Sequence, residues 1–92
     1  MNSVFRSVLL LILLVSNLSF PQSNLSEIDS INSIDYQEIV SNLTKYDIIF
    51  LNNLNEAKNI GYEKGIAKAL SNLALVHYLK GDYDESIQYH IE

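Results

Sequence analysis

His77 and His90 are the two histidines of the chain, and they flank the acidic stretch GDYDES. As metal ligands they would need two or three further donors converging on them, and there is no cysteine to help. Asp82, Asp84 and Glu85 are the residue types of acid–base work or cation binding. They stand at the expected start of a helix, however, where acids complement the macrodipole, so capping accounts for them. Ser71 and Ser86 belong to no nucleophile motif: GxSxG is absent, and so is a phosphate-cradling loop. GYEKG, residues 61–65, holds two glycines but lacks the spacing and preceding strand of a nucleotide fingerprint. The histidines therefore read as aromatic substitutes packed between helices. No catalytic residue, no cofactor-binding residue and no metal ligand is assigned, and no cofactor is expected.

The elements that carry these residues are helical. From Asp35 the apolar positions fall at helical spacing: Ile39, Val40 and Leu43, then Tyr46, Phe50, Leu54, Ala57 and Ile60. Asp35 and Glu38 have the spacing of a capping box. No Gly or Pro interrupts residues 35–60, so the pattern fits either one long helix or two joined near residues 44–47. Gly61 ends the run, because a residue without Cβ closes a helix in the left-handed conformation. The next helix is expected over residues 66–80, with Ile66, Leu70, Leu73, Ala74 and His77 on one stripe that Leu75, Tyr78 and Leu79 widen. Gly81 closes that helix, and Asp82 with Glu85 opens another as a second capping box. So short a turn makes the two helices pack antiparallel.

The remaining features bound the class of protein. Residues 8–15, VLLLILLV, follow the lone basic Arg6 and precede the polar SNLSFPQS, the layout of a secretory signal peptide over residues 1–22. The run is shorter than the roughly 20 apolar residues of a spanning helix; an uncleaved anchor is the alternative. Removing residues 1–22 takes Arg6 and no acid, which leaves five Lys against eleven acids and a net charge of −6. That balance disfavours nucleic acid and anionic membrane as partners. Without cysteine, an exported chain has no disulfides and depends on packing or assembly. Residues 23–34, rich in Ser, Asn and acids, read as a linker. Asn24 and Asn42 begin glycosylation sequons. The helix starting at Tyr83 reaches Glu92 without a closing Gly or polar tail, so the sequence is expected to stop within a structural unit.

The residues from 67 to 92, AKALSNLALVHYLKGDYDESIQYHIE, resemble a tetratricopeptide repeat, a helix pair of about 34 residues. The family's large, small and aromatic positions fall on Leu70, Leu73, Ala74, His77, Tyr78, Gly81, Asp82, Tyr83, Ser86, Tyr89 and His90. Small residues at 74 and 86 let two helix backbones approach. Upstream, NLNEAKNIGYEKGIAKAL looks like the junction between longer-spaced repeats of exported bacterial proteins. The resemblance implies an all-α solenoid of antiparallel helix-turn-helix repeats, incomplete here, with residues 35–65 a degenerate first repeat and residues 66–92 a second repeat truncated in its second helix. Repeat packing would fall to Leu70, Leu73, Ala74, Gly81, Tyr83, Ser86 and His90.

Lys68, Ser71, Asn72, Leu75, Tyr78 and Leu79 would line the concave face that holds a protein or peptide partner. The Leu75, Tyr78 and Leu79 surface would bind an apolar ligand or pack against a further repeat. The family's carboxylate clamp is not expected, because Ser71 and Leu75 occupy two of its places. The implied function is a non-catalytic interaction or scaffold module outside the cytoplasm, periplasmic or secreted. The alternative is the extracytoplasmic sensor segment of a membrane signal-transduction protein, a histidine kinase or transcriptional regulator.

Overall fold

A computed structural model describes residues 22–92; the expected signal peptide lies outside the described residues, apart from its last position. The described residues form five α-helices in order: α1 Gln22–Asn32, α2 Tyr36–Ser41, α3 Leu43–Ile60, α4 Glu63–Lys80 and α5 Tyr83–Ile91. The described residues contain no strand, and none of their helices is long and apolar enough to cross a membrane. The all-α class holds. Position 65, expected to divide two repeats, lies inside α4, which runs unbroken through it.

The linker reading of residues 23–34 is corrected by α1. Polar composition masks a stripe at helical spacing, Leu25, Ile28, Ile31 and Asn32, of which Ile28 and Asn32 are buried. Three asparagines from three helices then hold the C-terminal end of α1. Asn53 of α3 donates to the Ile28 carbonyl (3.1 Å) and to Asn32 Oδ1 (3.0 Å). Asn72 of α4 donates to the Asn32 carbonyl (3.2 Å) and to the same Oδ1 (3.2 Å). Asn32 in turn donates to the Gly65 carbonyl (3.1 Å). The last carbonyls of a helix have no partner within it. Here the Asn72 side chain supplies one of the missing donors, to the Asn32 carbonyl.

Between residues 35 and 60 the chain forms two helices, and the break falls at Asn42. That residue has φ −157° and ψ 81°, and its side chain caps α3 by accepting from Lys45 N (3.1 Å). Asp35 caps α2 by accepting from Gln37 N (3.1 Å). Glu38 does not complete the expected box; it accepts from the Tyr46 hydroxyl (2.7 Å) and ties α2 to α3. Gly61 ends α3 at φ 68°, and Tyr62 N reaches the Ala57 carbonyl (2.9 Å), a Schellman closure.

The connector is then Gly61 and Tyr62 alone, so α4 begins at Glu63 rather than near residue 66. Gly65 belongs to its first turn because α1 crosses there. A Cβ at this position would stand 2.8 Å from Ile28 Cγ2 and 2.7 Å from the Tyr62 ring.

Helix α4 is the centre of the fold and contacts all four others. The core joins Ile39, Tyr46, Phe50 and Leu54 to Ala69, Leu70, Leu73 and Val76, with Phe50, Leu73 and Val76 fully enclosed. Each such side chain contributes about 1.5–3 kcal/mol relative to exposure. Val76 lies outside the stripe read from the sequence, and Tyr78, expected to widen it, is exposed. Four neighbours around α4 demand a broader apolar arc than a one-sided helix would need.

Candidate functional site

The turn between α4 and α5 gathers the chemically capable side chains. Gly81 closes α4 at φ 87°, and Asp82 N bonds to the His77 carbonyl (2.8 Å). The turn thereby folds α5 back along α4. Ser86, buried between them, donates to the Ala74 carbonyl (2.7 Å). His77 sits beneath this turn, only 6% exposed, with its ring centroid 5.4 Å from that of Tyr89.

Around the imidazole stand three carboxylates. Asp47 of α3 places Oδ1 3.1 Å from Nε2, and Lys80 Nζ holds the other oxygen of Asp47 at 3.2 Å. On the opposite side, Nδ1 lies 3.5 Å from Asp82 Oδ2 and 3.9 Å from Glu85 Oε2. Among the described residues, His77 Nδ1 is the buried side-chain nitrogen or oxygen without a hydrogen-bond partner. The second capping box is not formed, since Asp82 makes no side-chain cap bond. Asp82 and Glu85 turn toward the histidine instead. Burial, then the charges of Glu85, Asp47 and Glu92, raise the Tyr89 hydroxyl above its ordinary pKa.

His90 does not join the group. It is exposed on the rim of a groove of about 350 Å³ between α4 and α5, whose walls include Ile66, Leu70, Ser71 and Tyr89. Sequence spacing singles out the two histidines, whereas the groups that meet His77 are carboxylates. Asp47, 30 residues upstream, carried no sequence signal for this role.

The residues expected on a concave face divide. Lys68, Ser71 and Tyr78 are exposed, Leu75 and Leu79 are half-buried, and Asn72 is committed to the end of α1. The residues expected in repeat packing divide as well. Leu70, Leu73, Ala74 and Ser86 are buried and Gly81 makes the turn, but Tyr83 and His90 lie at the surface. Tyr83 packs on Tyr78, with ring centroids 5.4 Å apart. Beyond it, Ile87 and Ile91 continue an exposed apolar row along α5.

Comparison with family models, with curated proteins and with solved structures gives no match.

Proposed function

We propose that this chain is a non-catalytic helical module, of tetratricopeptide type, that acts outside the cytoplasm by holding an apolar segment of a protein partner. The observation that carries the reading is the row Tyr83, Ile87 and Ile91, spaced by four along α5 and 59%, 54% and 74% exposed. Tyr78, 60% exposed, extends it onto α4. Apolar surface left in water forgoes about 25 cal/mol per Å², and a continuous patch of this kind marks a contact site. A row at spacing four is also the ridge that one helix lays into the groove of another.

Further support comes from the glycine-closed α4–α5 turn and from Ser86, whose size lets the two helices approach. The acids Asp82, Asp84, Glu85 and Glu92 border the row. A partner helix with apolar residues flanked by Lys or Arg suits that border. Export rests on the apolar run at residues 8–15 with its preceding Arg6.

The test is site-specific photo-crosslinking in the native host, with the probe at Ile87 and, as control, at Asn52 on α3. A discrete adduct from Ile87 in the extracytoplasmic fraction, lost in I91D and absent from Asn52, is the expected result. No adduct at Ile87, equal adducts from both positions, or recovery of the protein in the cytoplasm would overturn the reading.

A further inference from the structure

We infer that His77 Nδ1 and the carboxylates of Asp82 and Glu85 form a binding site for a zinc-class divalent cation, with Asp47 orienting the imidazole from behind. The inference does not depend on the partner-binding role of α5. It rests on the buried, unpartnered Nδ1 together with the two carboxylates in front of it.

The tautomer follows from the hydrogen bonds. Asp47 Oδ1 at 3.1 Å can only accept, so Nε2 carries the proton and donates to it. In the neutral ring this leaves Nδ1 with its lone pair, the form that ligates a metal. Carboxylate behind, imidazole between and cation in front is the usual outer-shell arrangement of a metal-binding histidine. Lys80 fixes the outer oxygen of Asp47 (3.2 Å) and keeps that carboxylate in place.

Distances agree with a shared ion. Two donors each about 2.0–2.2 Å from a tetrahedral centre stand roughly 3.5 Å apart. Nδ1 to Asp82 is 3.5 Å, Nδ1 to Glu85 is 3.9 Å, and the three donor atoms lie within 4.8 Å of one another. The two acids are exposed, so small side-chain rotations bring them in. The cleft beside them, lined by Gly81, Asp82, Tyr83, Asp84 and Glu85 and about 300 Å³ in volume, leaves room for water as a remaining ligand.

One imidazole with two carboxylates favours a zinc-class ion over magnesium, which prefers oxygen and retains its water. Capping, the competing role for Asp82, is not one its side chain performs. A bound ion would tie the last turn of α4 to the first turn of α5 and stiffen the corner.

The experiment is zinc titration of the full chain, made without a histidine tag and stripped of metal, by calorimetry and by nitrogen-detected NMR of the imidazoles. One zinc per chain is expected, with the His77 Nδ1 resonance moving while Nε2 stays protonated. D82N and E85Q should each weaken binding at least about tenfold, and the double variant should abolish it. Both substitutions are at the surface, so the fold survives them. H90A should leave affinity unchanged. D47N should weaken zinc binding roughly 10–100-fold and shift the His77 tautomer in the metal-free chain. Zinc binding by the D82N/E85Q variant at parental affinity, loss of binding in H90A, an unmoved Nδ1 resonance, or no binding at all would overturn the site.

Discussion

Tyr62 donates its hydroxyl to both oxygens of Asp29, at 2.8 and 3.0 Å, and so fastens α1 to the start of α4. That hydrogen bond, then burial, then the carboxylate charge raise the Tyr62 hydroxyl above its ordinary value of 10.0. Tyr46 is raised in the same way, first by its bond to Glu38. A raised pKa means that the folded state keeps a proton which the unfolded state has released. The associated stability is therefore fully present below pH 10 and is lost as pH rises through the folded value. Thermal melts should show stability falling above about pH 10, and Y62F should melt lower at pH 7 and lose part of that alkaline decline. An unchanged pH profile in Y62F would show that the bond contributes nothing. None of this was visible in the linear pattern, because each partner lies on another helix. The same reason hid Asp47 from His77, and it led the acids at 82 and 85 to be read as caps.

At the level of elements, glycines at helix ends were legible and glycines at helix contacts were not. Gly61 and Gly81 have φ of 68° and 87° and close α3 and α4 where the periodic runs stop. Local backbone chemistry dictates those turns, so neighbouring residues suffice to find them. Gly65, just before the helix expected from residue 66, lies instead inside α4 at the crossing with α1. Alanine has the higher helix propensity by up to about 1 kcal/mol. Against that gain, the added Cβ would stand 2.8 Å from Ile28 Cγ2, a branch with little freedom to move. Overpacking of this kind costs about 1–3 kcal/mol, so G65A should be destabilising in chemical denaturation despite its propensity. Equal or greater stability would mean that α1 does not approach α4 as described. The break at Asn42 was equally hidden, since an asparagine cap inside an apolar-periodic run looks like an ordinary polar position.

For the whole molecule, α1 decides whether the rest is covered. Ile28 and Asn32 are buried, Asn32 is held by Asn53 of α3 and Asn72 of α4, and Ile31 packs against the core that α3 and α4 mostly supply. Deleting residues 23–34 should therefore abolish the cooperative thermal transition of the chain, whereas removal of a true linker would leave it intact; circular dichroism separates the two. Folding in this size range leaves a small margin, so losing one helix is decisive. The helical class and the turns at Gly61 and Gly81 follow from spacing and backbone preference, which act over a few residues. Burial of the polar-looking α1, the asparagine cluster at its end and the three carboxylates around His77 follow from contacts between helices, over separations such as the 33 residues from Asn32 to Gly65. Those contacts depend on packing directions that no local pattern records, and they bring His77, Asp47, Asp82 and Glu85 together at the α4–α5 corner.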